Sequence, residues 1–529
     1  MDKTEAAKKI KALHPAVWWG AGYLACLLVV LGLSYYWRAF YYFNRVSTAV
    51  LLLGVGAVFS ALYLALFLLW RFVKSFDLRC MCVIILAGLL FVFAAPPLQV
   101  PDESLYFLRA YSISTGHLDF DHARGYPDDV DALMSCFSGS WGKEHNYHLI
   151  KEDAHIAERF ATYFSLTRAQ TPLTDVKEPN TFMVLPYLPQ AAGMLAARVL
   201  GFGALGALYG GRIANLLVYA AICYFALKNC KRYKPVFLAV MLLPLGLFLA
   251  GSLNYDAMLL AATYFVASYF CKDEITDRDM LWFALAFSVL CAVKVNNILW
   301  LAMPLVLPKA VWKCRFPKWQ AALMALSAAL ALMFVFEQYA VLFSHNYPPP
   351  ERMLEGVNQM EQLRFMLAYP ARFCATALGT LYENVLFFFK MGEFGHLDAN
   401  IPMVSALSAS VLLLSATFSA HPKSRLSGKS ALGLFAFAGA YIAAVLAGLY
   451  ITYTPVGMIR IIGLQARYFI PAFLILLVLL SALFSRVLEP ADKSQKHACA
   501  YMLCISGAFS VLSGILLFQH YYIGPVLGQ

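Results

Sequence analysis

Two carboxylates stand side by side at Asp102 and Glu103, in the stretch APPLQVPDESLYFLRAYSISTG, where a long apolar run ends in prolines. Adjacent carboxylates repel, which raises the pKa of one of them unless a cation or an acceptor proton is near; the arrangement suits a general base or a metal ligand. Arg109 follows six positions after Glu103, and Asp256, at the end of SLNYD (252–256), offers a third carboxylate. Lys294 interrupts the apolar run 280–307 as KVNN, and IGLQARY (462–468) carries Gln465, Arg467 and Tyr468. A guanidinium at the mouth of an apolar run can pair twice with a phosphate or carboxylate, and an ionisable side chain at membrane depth is a functional candidate by default. Each has a plainer reading: Asp256 and Asp398 as charges at helix ends, Arg467 as a snorkelling cation, and Lys390 and Arg460 as interface anchors.

Composition says what must position these residues. With 61% hydrophobic and 13% charged residues and a mean hydropathy of +0.66, this is a polytopic membrane protein. Many apolar runs of roughly 18 to 22 residues match a hydrocarbon core about 30 Å thick. Helices satisfy their own backbone, and the short alternating segments of a membrane barrel are absent, so an all-α bundle is expected. The net charge of +11 sits in short clusters between apolar runs, which marks cytoplasmic loops and argues against nucleic acid as a partner. Twelve cysteines lie mostly within apolar segments without metal-ligand spacing and read as packing residues. Four lysines precede a long first apolar run, which reads as a retained anchor.

The charge rule gives a topology. Spans at 16–34, 48–70 and 80–98 place the segment after Ala95 outside. Residues 99–182 then hold thirteen Asp/Glu against seven Lys/Arg, a net charge of 7 − 13 = −6, with aromatic residues and prolines throughout, so an ordered outer loop is expected after the third span. Residues 182–200, with Pro186 and Pro189, are placed along the surface, and 210–228 is the fourth span. Spans at 235–252 and 257–271 follow. To keep Lys309, Lys313, Arg315 and Lys318 inside, 280–307 must be two half-spans meeting at Lys294; a single crossing there is the rival. A span at 319–339, an aromatic surface helix at 371–389, and spans at 401–420, 430–450, 468–485 and 498–518 complete about thirteen crossings by the length criterion. The chain divides into an anchor with three spans (1–98), an outer loop with surface helices (99–209), a core bundle (210–339), a second outer loop (340–400) and C-terminal spans (401–529). Five polar groups, PDE (101–103), Arg109, SLNYD (252–256), GHLD (395–398) and IGLQARY (462–468), fall on the outer side, and Lys294 lies at depth where the half-spans meet.

The segments APPLQVPDESLYFLRAYSISTGHL, YLPQAAGMLAARVLG, SLNYDA, GHLDANIP and QARYFIPAFLILL resemble, in that order, the DUF2142 family of predicted membrane proteins, which belongs with the GT-C glycosyltransferases. The resemblance covers about residues 80 to 485, and the first two spans are additional to the simplest GT-C plan. It implies a GT-C-like bundle and a sugar transferase with a polyprenyl-phosphate sugar donor, its acidic pair Asp102 and Glu103 at the reaction centre and Asp256 as the second acid. The family pattern has a histidine three residues after the glutamate, and Tyr106 stands there instead. Relatives of this architecture occur with and without a divalent cation (Mg or Mn); a metal, where used, would take Asp102, Glu103 and Asp256 as ligands.

Residues and resemblance converge on one expected reaction. Asp102 or Glu103 takes a proton from an acceptor hydroxyl, the oxygen attacks the anomeric carbon, and Arg467 with Lys294 stabilises the leaving lipid phosphate, with inversion. The substrate-binding candidates are Arg109, Asp256, Lys294, Gln465, Arg467 and Tyr468. The acceptor would be a glycan or lipid-linked molecule of the cell envelope, and the setting a bacterial cytoplasmic membrane with the site facing outside. Two rivals are a polysaccharide polymerase or ligase, whose donor is a whole lipid-linked glycan, and a lipid or sugar transporter. Against the transporter stands the absence of matched repeats.

Overall fold

The computed structural model describes residues 15–41, 47–116, 126–138, 155–169, 184–343, 355–383, 390–395, 399–421, 424, 426–487 and 495–522, and folds as helices with one short strand pair. Helix α1 (Pro15–Tyr41) pairs with α2 (Thr48–Phe72), and α3 (Phe76–Ala94) follows. Ser47 and Ser75 start α2 and α3 by accepting the N–H groups of Val50 and Leu78, each satisfying a donor that a helix start leaves unpaired. Four short helices come next: α4 (Glu103–Ser114), α5 (Asp128–Phe137), α6 (Ile156–Ala169) and α7 (Leu188–Val199). The long α8 (Ala204–Asn229) leads to α9 (Lys234–Met241), α10 (Pro244–Ala250), α11 (Asp256–Ser268) and α12 (Asp277–Val293). Then come α13 (Ala302–Val306), α14 (Lys318–Phe343), α15 (Gln359–Ala368) and α16 (Pro370–Glu383). Strands β1 (Glu393–Phe394) and β2 (Ala399–Asn400) pair antiparallel, Glu393 opposite Asn400, ahead of α17 (Pro402–Phe418), α18 (Gly428–Tyr453), α19 (Ile470–Val487) and α20 (Gln495–Tyr522).

Among the described residues, 7 helices are long and apolar enough to cross a membrane by length and composition, within α1, α2, α3, α8, α18, α19 with its lead-in, and α20. Shorter apolar helices occupy Asp256–Cys271, Asn296–Val306, Lys318–Met333 and Pro402–Phe418. The thirteen crossings expected from sequence exceed what this criterion meets, because several apolar runs are broken. The run 235–252 divides between α9 and α10, where Pro244 has no N–H to continue the ladder. The run 280–307 breaks at Lys294, which ends α12 in extended backbone and starts a 3₁₀ turn over Val295–Leu301.

At Lys294 the chain turns back on itself. Ile275 N–H donates to Val311 O and Lys313 N–H donates to Ile275 O, each at 2.8 Å, so the basic segment after α13 lies beside the start of α12. The rival single crossing at 280–307 is therefore not the path taken. The same end of the bundle holds Lys231, whose N–H reaches Cys271 O, and Lys234, paired with Asp77 at 2.7 Å. At 1.5 Å per residue α12 is about 25 Å long, which carries Lys294 to the opposite end, level with the start of α11. Lys294 thus stands beside Asp256, the first residue of α11.

Helix α8 is the hub, packing on α3, α7 and α11. Its contact with α7 is backbone on backbone: a Cβ at Gly193 would lie 2.2 Å from Gly210 O and 2.6 Å from the Ala214 Cβ. Such close approach suits helices that meet in an apolar medium, where small residues let backbones touch. Gly193→Val should therefore lower the melting temperature of the purified protein, at an overpacking cost of about 1–3 kcal/mol; Gly54→Ala, whose Cβ meets nothing within 4 Å, should leave it unchanged. Helices α4 to α7 bury a second apolar cluster, including Phe107, Leu133 and Met194, against Ala204–Leu208 at the first turns of α8. That cluster holds the described parts of the acidic segment as packed structure.

Candidate functional site

The site is assembled by two residues three apart on one face of α8, Arg212 and Asn215. Arg212 Nη1 donates to Val92 O at 2.9 Å and Ala95 O at 2.7 Å, and Nη2 donates to Pro96 O at 2.8 Å. These carbonyls belong to the C-terminal end of α3 and the turn beyond it, where a helix leaves acceptors unpaired and favours a cation. The same guanidinium grips Glu103, Nε to Oε1 at 2.9 Å and Nη2 to Oε2 at 2.6 Å, both side chains fully buried. Leu253 N–H adds a bond to Glu103 Oε1 at 3.1 Å. Asn215 Nδ2 donates to Ser252 O at 2.8 Å and Asn254 O at 3.2 Å, and Asn254 Oδ1 accepts the N–H of Asp256 at 2.8 Å. One helix face thereby fixes both acidic loops.

Glu103 and Asp102, neighbours in sequence, are separated in environment. Glu103 has both oxygens committed to Arg212 and Leu253. Asp102 is exposed, takes left-handed backbone at φ 59° and makes no capping bond to α4. Leu98, four residues earlier, is left-handed too, at φ 59°. Conformations that cost of order 1–3 kcal/mol persist where surrounding contacts over-determine them, and here Arg212 supplies those contacts. The Tyr106 hydroxyl points at Asp102 Oδ2 at 3.5 Å, and its ring lies 5.1 Å from that of Tyr255. Burial first, then Tyr255 and Asp102, push the Tyr106 phenol well above its ordinary pKa, so it stays a proton donor.

Beyond Tyr255 lies a cluster of three charges. Asp256, the first residue of α11, has Lys294 Nζ 3.1 Å from Oδ1 and Arg467 Nε 3.1 Å from Oδ2. The Arg467 contact is an ion pair off hydrogen-bonding angle, which leaves guanidinium donors for another anion. Two cations share one carboxylate, so the cluster carries a surplus positive charge, and the N-terminus of α11 adds to it. Lys294 also stands 4.5 Å from the Tyr468 ring centroid, and its side chain is 31% exposed against 6% for Asp256. These residues open into a cavity of about 380 Å³ whose far wall is Ala444, Val445, Gly448 and Leu449 of α18. Tyr441 of α18 donates to Asn297 Oδ1 at 3.1 Å, and Asn297 Nδ2 donates to Leu290 O at 3.0 Å, which holds the break at Lys294 in place.

The structure brings together Asp256, Lys294, Arg467 and Tyr468 of the residues singled out in the sequence. Gln465 lines a small neighbouring recess with Pro101, Lys390, Glu393 and Arg467, which connects the Asp102 turn to the cluster. Arg109 is buried in the second apolar cluster region, 1% exposed, and does not line the cavity. Asp398 lies outside the described residues. The proposed metal set of Asp102, Glu103 and Asp256 does not fit a metal, because Glu103 is taken by Arg212 and Asp256 by Lys294 and Arg467. Among the described residues no group of three or more His, Cys, Asp or Glu is placed to hold an ion. Arg212 was missed, although a lone arginine inside an apolar 26-residue helix is itself a signal. Tyr255, Asn297 and Tyr441 carried no such signal.

No curated protein and no solved structure is significantly similar to the chain. Residues 85–478 match the predicted membrane proteins called DUF2142, a stretch that runs from α3 into α19 and contains every residue of the cluster. On that match over most of its length, the chain belongs to the DUF2142 family of predicted membrane proteins.

Proposed function

We propose that the protein is a membrane glycosyltransferase of the GT-C type that moves a sugar from a polyprenyl-phosphate carrier to an acceptor hydroxyl. The observation that carries this reading is the convergence of Lys294 and Arg467 on a single carboxylate at the mouth of an apolar cavity. A surplus cation beside an apolar wall suits an anion joined to a hydrocarbon chain, with the phosphate at Lys294 and Arg467 and the isoprenoid along α18. The acceptor oxygen attacks the anomeric carbon as its bond to the phosphate oxygen breaks. The electron pair leaves with the lipid phosphate, whose charge the two cations meet, and the acceptor proton passes to Asp102. Attack from the side opposite the phosphate inverts the sugar. Glu103 has a different part in this scheme: it anchors the turn that presents Asp102.

Orientation follows from charge. The end bearing Lys231, Lys234, Lys313 and Arg315 is assigned to the cytoplasm, which puts the Asp256 cluster and Asp102 at the outer face of a bacterial cytoplasmic membrane. An envelope glycan or lipid-linked acceptor is accessible there.

The test is release of polyprenyl phosphate from a polyprenyl-phosphate monosaccharide by protein in lipid. Lys294→Ala and Arg467→Ala should each slow release by about 10²–10³-fold, the usual loss on removing one preorganised charge donor. Arg467→Lys should recover little, because a point charge does not replace a planar fork. Wild-type release rates in both alanine variants would sink the assignment.

A further inference from the structure

On the face of α11 away from the Asp256 cavity runs a second cavity, of about 620 Å³, between α8, α11 and α12. Its wall is apolar, with Ile222, Phe225, Met258, Phe265, Trp282 and Leu285. Phe225, Trp282 and Leu285 are 53%, 47% and 55% exposed, so the cavity opens sideways onto the apolar flank of the bundle. Lys228, Asn229, Arg278 and Asp279 stand at its basic end, next to the chain segments around Cys271 and Ile275.

The charges at that mouth do not cancel. Asp279 is occupied by the Lys272 ammonium and by the backbone N–H and hydroxyl of Thr276, both at 2.9 Å. Among the described residues, neither Lys228 nor Arg278 has a carboxylate within ion-pair distance; Lys228 rests 5.1 Å from the Tyr224 ring centroid. Two exposed cations therefore border an apolar slot whose one lining carboxylate, Asp279, is already held; the exposed Asp273 and Glu274 of the preceding loop do not line it. Snorkelling lysines and arginines need only a helix end; here they flank a cavity deep enough for a hydrocarbon chain.

We infer that this cavity is a binding site for an anionic glycerophospholipid of the bilayer, with one acyl chain between α8 and α12 and the phosphate held by Lys228 and Arg278. Basic pockets between spanning helices select anionic head groups in this way. A zwitterionic lipid would bring an ammonium to a slot whose one lining carboxylate, Asp279, is already held by Lys272 and Thr276, and inorganic phosphate would leave the apolar wall unfilled. The site is separate from the Asp256 cluster, at the opposite end of α12.

The full-length protein in detergent, titrated with phosphatidylglycerol or phosphatidylcholine and followed by native mass spectrometry and thermal melting, tests this. Phosphatidylglycerol should be retained and should raise the melting temperature; phosphatidylcholine should do neither to the same extent. The double variant Lys228→Ala with Arg278→Ala should weaken phosphatidylglycerol retention by at least about tenfold. Leu285→Trp, which fills the slot and keeps both cations, should weaken it as well, whereas Lys294→Ala should leave it intact. Equal protection of the wild-type protein by the two lipids overturns the inference, as does wild-type retention in either cavity variant or displacement of the lipid by inorganic phosphate. The lipid comparison needs no variant and decides even if the double variant fails to fold.

Discussion

Arg212→Met is expected to destabilise the fold by about 3–5 kcal/mol, the cost of breaking a buried ion pair from one side. The loss has two sources. Glu103 would remain buried with its charge uncompensated, since its remaining bond is the one from Leu253 N–H. The carbonyls of Val92, Ala95 and Pro96 would lose their shared donor at the same time. Breaking a buried pair from one side costs far more than removing both charges together, so Glu103→Met combined with Arg212→Met should recover much of the loss. A double-mutant cycle on the melting of the detergent-purified protein reads the coupling directly. An Arg212→Met protein that melts like wild type would mean that the pair holds nothing. The same substitution should also loosen the Asp102 turn, because Arg212 holds the Ala95 and Pro96 carbonyls on one side of left-handed Leu98 and Asp102 and the Glu103 carboxylate on the other.

What the chain discloses and what it hides divide along physical lines. Helix content and membrane placement follow from composition and run length, which act locally. The reversal at Lys294 is legible too, because a lysine and two asparagines in an apolar run must either be satisfied together or end the helix, and here Asn297 and Tyr441 do both. Grouping Asp256 with Arg467 needs only the charge rule, which sends both to the outer end. What joins Lys294 to them is the length of α12, which runs from Asp277 to Val293 before the break and so brings Lys294 to Asp256. The partner of Glu103 was hidden by distance along the chain: Arg212 lies 109 residues away, and no periodicity links them. A local reading made Asp102 and Glu103 a repelling pair. Folding resolves that repulsion by burying one of them against a cation and turning the other outward, so the two carboxylates do different work. Tyr106, which departs from the family pattern, stands in the structure between Asp102 and the Tyr255 ring.

That division makes Asp102 the place where chemistry and folding can be told apart. Asp102→Asn should reduce sugar transfer by about 10²–10⁴-fold, the usual contribution of a positioned base, while leaving melting unchanged. Asparagine is among the few residues that accept left-handed backbone readily, so the φ of 59° persists and only the charge is removed. The side chain is exposed and caps nothing, which leaves no packing to lose. Glu103→Gln is the mirror case: melting should fall, because an amide cannot answer the guanidinium with two anionic oxygens, and the rate should fall only as far as the turn is disturbed. Tyr106→Phe, which deletes the hydroxyl 3.5 Å from Asp102 Oδ2, should change transfer by less than Asp102→Asn does and keep the ring contacts with Tyr255 and Tyr187. If the order is reversed, with Glu103→Gln abolishing transfer in a protein that melts normally and Asp102→Asn fully active, then the buried carboxylate is the base and Arg212 must release it during turnover. Transfer rate set against melting temperature for the three variants separates these outcomes without any structure of a bound complex.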